Sequence, residues 1–239
     1  MKTIVPALLL ALTAGLSHAQ APFDGTRLVP LLAHYETVLG PGSDGSAGQT
    51  ITAWHLLHPA VRDGNLVWEQ MSVSQSGDDL FGVDVDVWEH PSLNQVFRRV
   101  TRGETITQTE RHGNKAVRGR TGSEPLEVDV DGIIVSNGLF NYVGLGTLPL
   151  AEGWTGSYRS FAGQGTVRSH RLDVVGLREE AGQPVWEVTA TTTRSDGRTA
   201  VTRWFVQEAF PRVVTRMEAE TADGRTIAVK LLDVHVMDR

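Results

Sequence analysis

Alternation of polar and apolar residues, repeated along most of the chain, is the feature that most constrains its fold. In VWEVTATTTR, residues 185–194, apolar residues such as Val188 and Ala190 alternate with polar residues such as Glu187 and Thr189. A period of two with many β-branched residues is typical of a strand that buries one face. The chain is therefore predicted to be mainly β.

The same alternation predicts strands in many further segments. These lie at residues 49–57, 66–74, 81–90, 94–103, 104–113, 115–121, 126–131, 154–163, 167–180, 198–209, 212–221 and 225–238. Turn signals separate many of them, including HGN at 112–114, SDG at 195–197 and ADG at 222–224. Asp-Gly supplies the positive φ that tight hairpins need. Consecutive strands are therefore expected to pair as an antiparallel meander.

The number of strands favours a curved sheet. About a dozen strands cannot form one flat sheet, because accumulated twist makes large sheets curl, close or split. We predict a single curled antiparallel sheet, a half-barrel or open barrel, with a short apolar helix or plug across its concave face. Residues 28–39 fit both a strand and a helical stripe, and both alternatives stay open. We expect one domain over residues 20–239, since no linker or repeat divides them.

The first residues predict export. MKTIVPALLLALTAGLSHAQ has Lys2, an apolar run from Ile4 to Leu16, and then Ser17, His18 and Ala19, which form a small-x-small cleavage site. This is the order of a secretory signal peptide, and the run is shorter than the roughly 20 residues of a membrane span. We predict a signal peptide over residues 1–19, a periplasmic or secreted protein, and no membrane span after cleavage. The chain has no cysteine, which excludes disulfides.

Charge argues against polyanionic partners. The formal net charge is −6, so nucleic acid and anionic surfaces gain no overall electrostatic attraction. Lysine and arginine concentrate in residues 98–120 and 194–225, where strand spacing favours a solvated sheet face. We predict no nucleic-acid partner, and the sequence names no protein partner.

One apolar segment interrupts the meander. Residues 139–150, LFNYVGLGTLPL, carry no charge, and Gly144, Gly146 and Pro149 disfavour a long helix. We expect this crossing segment to lie over the concave face, either as a core plug or as a lid over a pocket. The predicted ligand-binding residues are Leu139, Phe140, Tyr142, Val143, Leu145, Leu148, Leu150 and Trp154, the last nearest the pocket mouth.

No catalytic or metal-binding motif stands out. The chain lacks G-x-S-x-G, and DGSAG at 44–48 lies in a loop of small residues. His55 and His58 point to opposite faces if residues 49–57 extend as a strand, and a zinc site needs three or four ligands that converge. We therefore predict no catalytic residue, no metal and no cofactor.

Two Asp-Val-Asp pairs are the strongest candidates for chemistry. Asp84 and Asp86, and likewise Asp129 and Asp131, place two carboxylates about 7 Å apart on one strand face. That spacing suits a shared cation or glycoside hydrolysis, although the remaining ligands of a calcium loop are missing. The neighbouring valines are assigned to the core and the aspartates to solvent. Calcium binding and hydrolysis remain the alternatives.

Several motifs resemble a bacterial family of exported domains of unknown function. They are LGTLPLAEGW, RLDVVGLREE, VWEVTATT, TRWFVQEAFPRVVTRMEAE and DGRTIAVKLLDV. That family is similar to the outer-membrane lipoprotein carriers, whose fold is an incomplete antiparallel β-barrel with helices that plug the concave face. The resemblance covers about residues 66–236. It implies this fold and an apolar ligand, but not lipoprotein transfer, because the carriers' own motifs are absent.

These observations favour binding over catalysis. We predict an exported cell-envelope protein that binds a lipid or other apolar ligand in the concave groove of a half-barrel. One alternative is a structural or protein-interaction module whose groove is filled by its own side chains. The other is an exported hydrolase that uses the carboxylates of the two Asp-Val-Asp pairs.

Overall fold

A computed structural model describes residues 22–135, 140–161, 166–221 and 224–237. Its strands are β1 (Leu31–Leu39), β2 (Gln49–Arg62), β3 (Asn65–Ser76), β4 (Asp79–Glu89), β5 (Gln95–Arg102), β6 (Thr105–His112), β7 (Lys115–Arg120), β8 (Ser123–Asp129), β9 (Ile134–Val135), β10 (Thr155–Phe161), β11 (Val167–Glu180), β12 (Gln183–Thr193), β13 (Thr199–Gln207), β14 (Val214–Glu220) and β15 (Thr226–Val236). The helical elements are α1 (Phe140–Gly144) and the 3-10 turns Gly25–Arg27 and Leu145–Thr147. No helix among these residues is long and apolar enough to cross a membrane.

All these strands belong to one sheet. From one edge to the other, the strands follow in descending order from β8 to β1 and then in descending order from β15 to β9. The central pair β1 and β15 joins two meanders, and β9 alone pairs in parallel, with β10. Hydrogen bonding does not close the sheet, so β8 and β9 are its edges. The predicted curled antiparallel sheet with a short helical crossing is confirmed.

Tight turns join the strands where the sequence predicts them. Gly113 and Gly197, within the predicted turns at 112–114 and 195–197, have φ values of 61° and 80°. Glycine adopts these values without the steric cost that a side chain would incur. The turn predicted at 222–224 falls partly outside the described residues. Residues 31–39, which fit either a helix or a strand, form β1.

The strand register identifies the concave face. Residues directly opposite each other in an antiparallel pair point to the same face. One such cross-strand row begins in the main core and runs outward from β1 to β7. It contains Leu31, Leu57, Gln70, Asp86, Arg98, Thr109 and Arg118. Because Leu31 and Leu57 are buried in the main core, the whole row faces the concavity.

The two edges of the sheet overlap in space. Phe161, at the end of β10, points to the opposite face from its neighbour Ser160. It packs in a small buried cluster with Ala116 of β7, Val130 and Ile133. Ala116 lies two residues before Arg118 and therefore on the concave face of β7. The β10 edge thus tucks inside the β7 edge, and the sheet has the shape of a spiral.

Candidate ligand-binding groove

The crossing segment lies in the concavity and contributes to the main core. Its buried or partly buried core side chains are Tyr142, Val143, Leu145, Leu148 and Leu150, and Trp154 packs beside them. Leu139 lies outside the described residues, and only the backbone of Phe140 is described, at the start of α1. The structure therefore brings most of the predicted residues together. Their role in ligand binding stays a prediction.

Few polar contacts hold the crossing segment in place. The amide of Asp24 donates to Thr147 Oγ1 at 3.1 Å, and Thr147 Oγ1 donates to the carbonyl of Gly144 at 2.7 Å. Arg27 Nη1 donates to the carbonyls of Thr147 and Leu148, at 3.3 Å each. Tyr142 also hydrogen-bonds the Thr37 side chain of β1. The described residues of the segment form no strand ladder with the sheet, so its position depends on apolar burial together with these few polar contacts.

Tyr142 connects the crossing segment to an aromatic cluster on the sheet. Its ring centroid lies 4.8 Å from that of Tyr35 and 5.8 Å from those of His55 and Trp204. The Tyr35 hydroxyl donates to the carbonyl of Val214 at 3.0 Å. Burial raises the pKa of Tyr142 to about 12 and raises that of Tyr35 further. Both phenols are neutral in this cluster at ordinary pH.

The prediction that Asp84 and Asp86 face solvent is wrong. They are 5% and 0% exposed and lie on the concave face, opposite Ser72 and Gln70 of β3. Val85, between them, and Val83 and Val87, on either side, lie on the other face. A Val-Asp-Val-Asp strand can curl toward either side, and here the polar side is inside because charged partners compensate its burial. Asp129 is exposed, as predicted for the second pair.

Guanidinium groups from β5 neutralise these two carboxylates. Arg102 approaches Asp84 with two nitrogens, at 2.5 and 3.2 Å. Arg98 lies 3.7 Å from Asp84 and 3.5 Å from Asp86, and Gln95 Nε2 donates to Asp86 at 2.5 Å. Carboxylates held this way are suited to a structural role. This arrangement gives no support to the hydrolase alternative.

The arginines of residues 98–120 do not form the fully solvated face that was predicted. Arg98, Arg102 and Arg118 are each half-buried on the concave face, and Arg120 is exposed beside them. Among the described residues, no carboxylate lies within 4 Å of Arg118 or Arg120. Burial and the nearby charges of Arg98 and Arg120 lower the pKa of Arg118. The concave face of β7 therefore carries excess positive charge.

His55 is buried in the polar part of the concavity. Its Nδ1 lies 2.8 Å from Ser72 Oγ and 3.0 Å from Gln70 Nε2. Burial lowers the pKa of His55 to about 4, although the charge of Asp84 opposes this shift. His58 lies on the opposite face of β2, as predicted from strand periodicity.

A second histidine, the half-buried His170, forms a chain of hydrogen bonds that sequence patterns did not indicate. His170 Nε2 lies 2.6 Å from Ser160 Oγ, and its Nδ1 lies 3.0 Å from Thr192 Oγ1. Burial, with a smaller contribution from the charge of Arg168, lowers the pKa of His170 to about 4. Ser160 is 2% exposed, so a substrate cannot reach its hydroxyl. This arrangement stabilises the wall of the concavity rather than activating a nucleophile.

Metal-binding groups do not converge in the part of the chain that the structure describes. There, no group of three or more histidine, aspartate or glutamate side chains could hold a metal ion.

The sequence did contain one signal for the concave arginines. Once β4 and β5 pair as a hairpin, Asp84 and Asp86 require charged partners from β5. Arg98 and Arg102 are four residues apart, so their side chains lie on the same face of β5. The register between β4 and β5 supplies the missing information, because Asp86 lies directly opposite Arg98. Without that register, the arginines could be assigned to either face.

Comparisons with known proteins locate the fold but not the function. No protein-family model and no curated protein matches the sequence. A LolA superfamily protein from Nitrosomonas europaea shares 13% identity over 93% of this chain and 90% of its own, with a TM-score of 0.33. A β-barrel-like protein of the domain of unknown function DUF1849 from Brucella abortus shares 13% identity over 89% of this chain and 99% of its own, with a TM-score of 0.56. The second similarity confirms, for the fold, the predicted resemblance to a β-barrel-like domain of unknown function.

Proposed function

We propose that this protein is an exported, non-enzymatic protein of the cell envelope that binds a lipid or other apolar ligand in the concave groove, under the crossing segment. The observation that carries the proposal is that the concavity is filled by a segment whose described residues lie outside the sheet's backbone hydrogen-bond ladder. In this proposal, residues 1–19 are the signal peptide and residues 20–239 form the mature domain.

The crossing segment is short enough to be displaced. An isolated helix of fewer than about 12 to 15 residues is marginal in water, so α1 and its 3-10 turn cannot persist away from the sheet. Their position depends on the burial of side chains such as Val143, Leu145 and Leu148. Displacement would uncover apolar wall residues, among them Trp204 and Met217.

A lipid chain could replace the crossing segment at little net cost. Burial of four large apolar side chains contributes about 6 to 12 kcal/mol, at about 1.5 to 3 kcal/mol each. An acyl chain of about a dozen methylenes contributes about 10 kcal/mol, at about 0.8 kcal/mol each. Since the two free energies are comparable, exchange of the segment for a ligand is feasible.

Ligand uptake tests this proposal directly. The protein would be purified from the exported fraction without detergent, and native mass spectrometry would detect co-purified lipid and added palmitate. We expect Tyr142→Ala to increase the rate of palmitate uptake, because it weakens the contact that holds the crossing segment. The matched control is Tyr158→Ala, which removes an equally large buried side chain from β10 and leaves the segment's contacts with Tyr35 and Trp204 intact.

Two results would contradict the proposal. An apo mass with no uptake of fatty acids or phospholipids would leave the crossing segment as a permanent core plug and the protein as an envelope interaction module. Equal uptake rates in both tyrosine variants would show that general loosening, rather than displacement of the crossing segment, admits the ligand.

A further inference from the structure

We infer that the ligand is an anionic amphiphile, whose carboxylate or phosphate head group is bound by Arg118 and Arg120 while its apolar chain extends toward the core under the crossing segment. This inference rests on the proposed function and specifies the chemistry of its ligand. It follows from the distribution of charge and apolar surface along one face of the sheet.

The concave face of β6 and β7 presents a compact set of hydrogen-bond donors. Arg118 lies opposite Thr109, and Arg120 lies opposite Thr107. Thr109 also lies directly opposite Arg98, and Thr107 lies two residues from Thr109 on β6, so all four residues face the concavity. A guanidinium group presents a planar fork of donors that matches carboxylate and phosphate oxygens, and a threonine hydroxyl adds one more donor. Together they form a site for an oxyanion.

The charges on this face do not balance. The two buried carboxylates, Asp84 and Asp86, are already paired with Arg98 and Arg102. Within the described ranges, Arg118 and Arg120 have no carboxylate within 4 Å, so they retain an excess of two positive charges. Burial is the main cause that lowers the pKa of Arg118, and the charges of Arg98 and Arg120 lower it further. A bound anion would relieve this repulsion.

The path from the head-group site to the apolar core runs along the concave face, past the paired side chains of Arg98 and Asp86. Trp88 is fully buried in the core and lies on the concave face of β4, two residues from Asp86. Three interstrand steps of about 4.8 Å separate β4 from β7, which gives about 14 Å. One acyl chain in a bilayer spans about half of the 30 Å hydrocarbon core, or roughly 15 Å. A chain anchored at Arg118 can therefore reach the apolar side chains.

Matched ligands test the head group. Palmitate, lysophosphatidic acid and uncharged monopalmitoylglycerol carry a similar chain and differ in charge. We expect the full mature protein to bind the two anions more tightly than the neutral lipid in a tryptophan-fluorescence titration. The stronger of the two anions identifies carboxylate or phosphate as the preferred head group.

Matched variants test the residues. We expect Arg118→Gln to weaken binding of both anions by about tenfold or more, since a hydrogen bond to a charged group contributes about 1.5 to 3 kcal/mol. Binding of monopalmitoylglycerol should not change. Arg99→Gln is the control, because Arg99 is exposed on the opposite face of β5. Arg118→Gln should fold at least as well as the wild type, because it removes a partly buried charge that has no carboxylate within 4 Å in the part of the chain that the structure describes.

The outcomes separate this inference from the proposed function. Equal affinity for charged and neutral lipids, or no effect of Arg118→Gln and Arg120→Gln combined, would overturn the anionic head-group site and leave apolar binding intact. Failure to bind any of the three lipids would overturn both. Loss of anion binding in Arg118→Gln with retained monopalmitoylglycerol binding would support both.

Discussion

At the scale of single residues, His55 couples the stability of the core to pH. Its folded-state pKa of about 4 lies below the value of 6.5 for an unperturbed histidine. Below about pH 6.5, the unfolded chain binds a proton that the folded chain does not bind, so the folded state loses stability as the pH falls. The stability contributed by neutral His55 is fully present above pH 6.5 and is lost progressively toward pH 4.

We expect the free energy of unfolding to decrease by up to about 1.4 kcal/mol per pH unit for His55 across this window. Urea unfolding at a series of pH values from about 7 to 5 measures this slope. His55→Gln should reduce the slope, whereas His235→Gln should not, because His235 is exposed on β15. An unchanged slope in His55→Gln would show that His55 does not control the pH dependence.

Single residues also mark where sequence reasoning reached its limit. The alternation in FGVDVDVWE correctly predicts β4, but a period of two does not say which of the two faces is buried. The usual rule that apolar residues face inward assigns Asp84 and Asp86 to solvent. The rule fails here because Arg98 and Arg102 supply the partners that buried carboxylates require. Such compensation depends on a neighbouring strand and is therefore invisible within one strand.

At the scale of elements, the crossing segment fits against the sheet through one close backbone contact. A Cβ at Gly146 would overlap the carbonyl oxygen of Arg212, which precedes β14. We expect Gly146→Ala to lower the free energy of unfolding by about 1 to 3 kcal/mol, because overpacking forces the backbone to shift. It should also accelerate hydrogen exchange in residues 140–148.

The control for Gly146→Ala is Gly119→Ala in β7. A Cβ at Gly119 meets no atom within 4 Å, and its φ is not in the left-handed region. This substitution should therefore leave stability nearly unchanged. If both variants unfold at the same urea concentration, the contact with Arg212 does not fix the crossing segment.

Local sequence predicted the elements well because each strand carries its own period and its own turn. Residues 167–180, for example, match β11 as observed. The crossing segment was also predicted, since its glycines and proline exclude a long helix. β9 was not predicted. It has only two residues, and a period of two cannot be recognised in so short a segment.

At the scale of the whole molecule, overlap of the sheet edges narrows the concavity. Phe161 is the largest side chain in the buried cluster that joins β10 to β7. We expect Phe161→Ala to release this overlap, since loss of a buried phenylalanine costs about 3 to 5 kcal/mol. Hydrogen exchange should accelerate in β7, β8 and β10 and remain slow in β1 and β15.

Phe210→Ala is the matched control for this overlap, because Phe210 is 70% exposed. It should leave exchange unchanged throughout the sheet. Uniformly faster exchange in Phe161→Ala would mean that the cluster supports the entire sheet rather than its edges alone. The overlap could not be predicted from sequence, because turn signals specify only which strands are neighbours along the chain.

The pairing of β1 with β15 determines the order in which the sheet can be completed. β15 follows every other strand in the chain, yet it lies at the centre of the sheet. During synthesis, β1 through β8 and β10 through β14 can form two separate meanders, and only the arrival of β15 joins them. Until then, β1 and β14 expose backbone edges that can template aggregation. A chain that terminates before β15 should therefore aggregate rather than fold, and a cell would benefit from keeping the nascent chain unfolded until its last strand is made.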